Sequence, residues 1–196
     1  RMLFGAFTRP RLRVSIRDLP PGLIIDIGGG GEGVIARAGG ARVVAVDRLA
    51  SEIVEARDHV HALDASWVLA DASGLPFTAR CFDSATAFFS FMYMPGDLPA
   101  RVLSETARVL KTGGELWIWD VPMVGPASSK GAARSKTFAL MLGIDIPGQP
   151  TINTGYGVKA KDRSAALMAR LLREAGFEPA IVVDQARWFF IRATKL

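Results

Sequence analysis

At 196 residues and 49% apolar content, the chain is long enough for one substantial core, and its apolar stretches, such as AFFSFMYM, are shorter than the ~18 residues of a membrane span. The N-terminus lacks an apolar region long enough for a signal peptide, so a cytoplasmic, soluble protein is expected. The net charge of +5 invites a nucleic-acid reading, but Arg1, Arg9, Arg11, Arg13 and Arg17 fall in a segment without acids, and the remainder balances at 19 basic against 19 acidic residues.

Residues 1–21 are therefore expected to form a basic arm ahead of a single domain, 22–196. The first predicted strand is LIIDI (23–27), followed by a helix over 32–38, a strand RVVAVD (42–47) and a helix over 51–62. Strands WVLAD (67–71) and SATAFFSF (84–91) follow. A helix over 98–110 then ends at a left-handed stop in Thr112, Gly113 and Gly114, before the strand ELWIWDV (115–121). Each strand runs apolar through its middle, as strands buried on both faces do. Their alternation with helices predicts an α/β fold with a largely parallel sheet.

The stretch 122–161 breaks this rhythm. It holds two further strands, TFALMLGIDI and TINTGYGV, joined by PGQP, and reads as an inserted hairpin leaving the carboxyl end of a strand. Ligands of open α/β sheets bind at that end, so the insertion is placed to wall or cap an acceptor pocket. Its basic surplus from Lys130 to Arg163 is a second place where an anionic partner could bind. A helix over 163–175 stops at Gly176, and the closing AIVVDQ and RWFFIRAT are too close in sequence for a crossover, so they pair antiparallel.

The chemistry concentrates in DIGGGGEG (26–33). Gly28, Gly30 and Gly33 spell G-x-G-x-x-G, the dinucleotide fingerprint, yet Asp26 and Glu32 bracket them. A pyrophosphate about 4 Å from a carboxylate costs on the order of 4 kcal/mol at an effective dielectric near 20. S-adenosylmethionine reverses the sign, because it has no phosphate and carries a sulfonium and an ammonium. Asp47 ends the second strand, where it can accept from ribose hydroxyls. Asp71 ends the third, suited to the adenine amino group, with the Ala72 amide donating to a ring nitrogen. Ser90 lies near the end of the fourth, where donor and acceptor meet.

Taken together, LIIDIGGGG, VVAVD, LADASGLPF, FDSATAFFSFMY, RVLKTGGELWIWD and LLREAGF resemble the successive motifs of the class I S-adenosylmethionine-dependent methyltransferases, particularly the type 11 branch. The resemblance implies a Rossmann-like seven-stranded sheet in the order 3-2-1-4-5-7-6, with strand seven antiparallel. It also implies S-adenosylmethionine as cofactor at Asp26, Gly28, Gly29, Gly30, Asp47, Arg48, Asp71, Ala72, Phe89 and Ser90. Two departures stand out: glycine arrives one residue late, at Gly33 after Glu32, and no histidine follows the fourth strand, where the chain reads FMYM.

No catalytic base is assigned; Tyr93 and Tyr156 are the candidates, either as base or as aromatic wall. His59 and His61 are expected to face solvent, no metal is expected, and the lone Cys81 reads as a small apolar residue. The predicted activity is methyl transfer to a small-molecule acceptor by in-line displacement. The alternatives are an RNA-directed methyltransferase or RNA-binding module using the basic arm, and an NAD(P)-dependent oxidoreductase.

Overall fold

The computed structural model describes residues 12–59, 65–122, 137–159, 164–185 and 187–196. Ten strands run through it in chain order: β1 Leu12–Ser15, β2 Ile24–Ile27, β3 Val43–Asp47, β4 Ser66–Leu69, β5 Phe82–Phe88, β6 Leu110–Asp120, β7 Thr137–Asp145, β8 Ile152–Lys159, β9 Phe177–Asp184 and β10 Phe189–Lys195. The α-helices are α1 Val34–Gly39, α2 Ala50–His59, α3 Leu98–Val109 and α4 Ala165–Glu174. No described helix is long and apolar enough to cross a membrane.

Seven strands form one sheet in the order β4-β3-β2-β5-β6-β10-β9. The pairings from β4 to β6 are parallel, while β10 runs antiparallel to both β6 and β9. Every residue of β2 is buried, as expected of a strand covered on both faces. At the outer edge, β4 departs from that expectation, with Leu69 exposed, because it has a neighbour on one side only. One face carries Ile25, Leu116 and Ile191 beneath Leu103 of α3 and Leu172 of α4; the other carries Ile24, Val43, Trp117, Trp119 and Phe190 with α1.

That second face is completed by a three-stranded sheet, β1-β7-β8, whose Val14, Leu142, Ile144 and Ile152 join the same apolar cluster. Within the expected basic arm over 1–21, the described part from residue 12 onward includes a strand rather than only solvated charge. Residues 12–15 pair in parallel with β7, Val14 and Ile16 are buried, and Arg13 is paired to Asp145 at 3.0 Å. The alternation Leu12, Val14, Ile16 is a strand signal that the arginines between them obscure. Residues 1–11 lie outside the described residues.

Helix ends follow local chemistry. Ser164 caps α4 by accepting from the Leu167 amide at 3.1 Å, and Gly176 past its end takes φ +87°. The expected left-handed stop of α3 is not there: Leu110 ends that helix in an extended conformation. Gly113, at φ +76°, instead turns an excursion within β6, between Leu110 paired to Phe82 and Glu115 paired to Ser84.

Candidate cofactor and acceptor site

A cavity of about 500 Å³ opens where β2, β3 and β5 end, floored by the turn 28–33. Three glycines in that turn, Gly28, Gly31 and Gly33, hold positive φ, and α1 starts after the third, which absorbs the extra residue in the motif. Space is as restrictive as torsion. A Cβ on Gly29 would sit 2.5 Å from Asp26 Oδ2 and 2.9 Å from Ala45 Cβ, and one on Gly28 would sit 2.6 Å from Ser90 Cβ.

The amides of this turn are directed inward. Gly28 and Gly29 both donate to the Val46 carbonyl, at 2.8 and 3.1 Å, Gly31 donates to the Glu52 carbonyl at 2.9 Å, and Gly30 donates to Asp47 Oδ2 at 3.3 Å. A phosphate cradle needs such amides aimed at the ligand. Here they hold the scaffold, and the cavity wall is acidic, so the dinucleotide spacing does not carry a dinucleotide site.

Asp26 is 1% exposed and receives a 2.7 Å hydrogen bond from Thr86 Oγ1. Burial pushes its carboxyl up to about 7, against the opposing effect of the Thr86 bond. Asp47 accepts the Leu49 amide at 2.9 Å as well as that of Gly30, which fixes its carboxylate at the rim. The Ser73 amide and hydroxyl, at 2.8 and 2.7 Å, hold Asp71 below the usual carboxylate range. Arg48 is exposed beside Asp47, and Ala72 lines the same wall.

Phe89 takes φ +51°, rare for a bulky residue. Its amide donates to the Trp119 carbonyl at 2.8 Å, and its ring packs edge-on against Phe88 at 4.8 Å and stacks near Tyr156 at 6.3 Å. This turn in the backbone carries the chain from β5 into the buried Ser90. The Ser90 hydroxyl is the one buried side-chain polar atom, among the described residues, without a hydrogen-bond partner. At the end of β6, Asp120 is buried and accepts the Met92 and Val121 amides at 3.0 and 2.7 Å.

Tyr156 reaches the cavity from β8 and meets Tyr93 edge to face at 6.4 Å. Burial raises both phenols, Tyr93 to about 12 and Tyr156 further, so both stay protonated near neutral pH and neither is poised as a base. His59 lies 3.8 Å from Glu32 and does not line the cavity; His61 falls outside the described residues. Among the described residues no group of three or more metal-ligating side chains comes together.

Every residue assigned from the sequence to the cofactor set, and both tyrosines, borders this one cavity. Sequence reasoning missed Glu52 and Glu55, in the first turns of α2, together with Thr154 and Gly155 of β8. Glu52 follows the rim acid Asp47 by five residues, a spacing that places it back over the glycine turn once α2 forms; the β8 residues had no local signal.

An open, mostly parallel sheet with an acid-bordered glycine turn at its strand ends places the cavity where open α/β sheets bind ligands. The solved PH0226 protein of Pyrococcus horikoshii superposes with a TM-score of 0.63 at 14% identity, over 88% of this chain and 82% of that one. A methyltransferase from Methanosarcina mazei gives 0.62 at 20% identity, over 88% and 92%. The methyltransferase domain of the type 11 family matches residues 25–118. The ubiquinone/menaquinone biosynthesis C-methyltransferase UbiE of Cereibacter sphaeroides is 33% identical over 168 residues, covering 79% of this chain. The chain spans 65% of that relative's length. Over residues 25–118 the chain is similar to a methyltransferase domain, and its fold is that of solved S-adenosylmethionine-dependent methyltransferases.

Proposed function

We propose that the chain transfers the methyl group of S-adenosylmethionine to a small acceptor with a largely apolar body, and that the β7–β8 hairpin forms the acceptor wall. The observation that carries this reading is the single cavity in which the acid-bordered glycine turn meets an aromatic compartment built from Phe89, Tyr93 and Tyr156. The fit to the cofactor rests on the absent Cβ atoms at Gly28 and Gly29, the unpartnered Ser90 hydroxyl and the carboxylates of the wall.

When bound, S-adenosylmethionine would supply an electrophilic methyl group for in-line displacement by the acceptor. Asp26 ionises more readily once a cation lies over the turn, which favours the charged form of the carboxyl. Asp47 keeps lone pairs for ribose hydroxyls, and Asp71 and Ala72 offer an acceptor and a donor to adenine. Phe89 and Tyr156 exclude water from the meeting point. Because both tyrosines stay protonated, alignment carries the reaction, and good positioning alone supplies about 7 to 11 kcal/mol.

The Cereibacter relative's name attaches carbon methylation in quinone biosynthesis to that protein. An aromatic acceptor of that kind fits the aromatic wall of this cavity. Calorimetric titration with S-adenosylhomocysteine and with NADH tests the reading: binding of the first and not the second is expected, and the reverse result removes it.

A further inference from the structure

Two segments that wall the cavity belong to different elements: the loop after β4, with Asp71 and Ala72, and α3, with Leu98 and Val102. The loop has no helix or strand between Leu69 and Phe82. Its backbone polar groups therefore need partners other than a ladder or a helix. At its near end, the Ala70 amide donates to the Asp47 carbonyl at 2.9 Å and the Gly74 amide to the Asp71 carbonyl at 3.0 Å.

Further along, the partners come from α3. The Leu75 amide donates to Glu105 Oε2 at 2.9 Å, while Arg108 donates from Nη2 to the Leu75 carbonyl at 3.0 Å and from Nη1 to the Phe77 carbonyl at 2.8 Å. The same guanidinium grips the Glu105 carboxylate through Nε at 2.8 Å and Nη2 at 2.9 Å. One planar group thus joins two loop carbonyls to a carboxylate that itself holds the Leu75 amide. A lysine, a point charge on a flexible stem, cannot reproduce that fork. Leu75 is buried, and Phe77 meets Phe82 edge-on at 5.0 Å, so the clamped stretch also rests on the core.

Neither Glu105 nor Arg108 lines the cavity. Glu105 follows Val102 by one turn of α3, and Leu75 closely follows Asp71 and Ala72, so the clamp ties the helical wall to the loop wall. Resting on the methyltransferase reading above, in which Asp71 and Ala72 meet the adenine, we infer that Glu105 and Arg108 are positioning residues for the cofactor's base: they fix the loop that reads its edge, and with it the selectivity for adenine. A clamp that served stability alone would leave that selectivity unmoved.

The test titrates the full chain calorimetrically with S-adenosylhomocysteine and with S-inosylhomocysteine, in which a carbonyl oxygen replaces the adenine amino group. The unaltered chain is expected to prefer the adenine compound by about tenfold or more, since the exchange sets an acceptor against Asp71. Arg108→Lys and Glu105→Ala are each expected to reduce that preference to about threefold or less, whereas Glu105→Gln, which keeps an acceptor for the Leu75 amide, retains most of it. Lys111→Ala breaks a 2.6 Å ion pair with Asp83, neither partner lining the cavity, and should leave the preference as it is. An unchanged preference in Arg108→Lys and Glu105→Ala, an equal loss of affinity for both compounds, an equal shift in Lys111→Ala, or failure of both clamp variants to fold overturns the positioning role. So does an unaltered chain that binds both compounds equally, although the cofactor reading then stands. An unaltered chain that does not bind S-adenosylhomocysteine overturns both.

Discussion

Thr86 Oγ1 donates a 2.7 Å hydrogen bond to Asp26 Oδ1 directly beneath the glycine turn, joining neighbouring strands β5 and β2 through two buried polar side chains. The bond stabilises the charged carboxyl, and burial opposes it more strongly. Thr86→Val removes the donor, so the Asp26 carboxyl should rise further. Stability should fall by about 1 to 3 kcal/mol, the usual cost of a buried polar group losing its partner. Urea unfolding at pH 7 measures it.

Asp26 also predicts how stability depends on pH. Its folded value is raised to about 7 from 3.8, so between those values the folded state holds a proton that the unfolded chain releases. The stabilising contribution is complete below about pH 4 and is lost as pH rises through about 7. Its full size is on the order of 4 kcal/mol in the absence of ligand. Asp26→Asn removes this slope, so the stability difference between parent and variant should widen in the variant's favour from pH 4 to pH 8. S-adenosylmethionine affinity of the parent should rise over pH 6 to 8 as Asp26 ionises, and calorimetry follows it.

Gly29→Ala places a methyl 2.5 Å from Asp26 Oδ2 and 2.9 Å from Ala45 Cβ. Overpacking of this kind costs about 1 to 3 kcal/mol, and cofactor binding should be lost with it. Gly74→Ala is the matched control. It meets nothing within 4 Å and its φ is not positive, so its thermal midpoint should hold or rise slightly. The two melting curves decide whether crowding at the turn is the cause.

Ser90→Ala separates ligand binding from folding. The hydroxyl is buried without a partner, so its removal should leave the ligand-free protein unchanged or up to about 1 kcal/mol more stable. If the hydroxyl bonds a ligand, affinity in the S-adenosylhomocysteine complex should drop about five- to tenfold. Thermal shifts with and without S-adenosylhomocysteine report both effects.

Ile144→Ala tests the second sheet. Ile144 is fully buried on β7, two residues from Leu142, in the cluster that includes Phe88, Phe89 and Trp119. A loss of about 2 to 5 kcal/mol is expected on unfolding. If the hairpin forms the acceptor wall, the Michaelis constant for the acceptor should rise more than that for S-adenosylmethionine.

Much of the site was readable before any coordinates. Asp26, Asp47 and Asp71 lie at the carboxyl ends of successive apolar runs, and neighbouring parallel strands end on one side of the sheet, so three distant acids border one cavity. The buried state of Asp26 was not readable, because the cover comes from glycines whose backbone folds over it. Tyr156 was a candidate, but its meeting with Phe89 and Tyr93 depends on how β8 lies against the turn at 91–93. The strand at 12–15 was hidden because alternating arginines read as solvated charge, whereas their neighbours Val14 and Ile16 face the core.

Local pattern was sufficient for the main sheet, the helices and the acids at the strand ends, since burial on two faces leaves a continuous apolar run and each crossover needs an amphipathic helix. What required the folded chain was every relation between segments far apart in sequence: β1 lying against β7, Tyr156 of the hairpin meeting Phe89 and Tyr93, and Glu52 lying over the glycine turn. Such relations come from packing complementarity and shared electrostatic fields, and these have no repeating period along the chain for a sequence pattern to display.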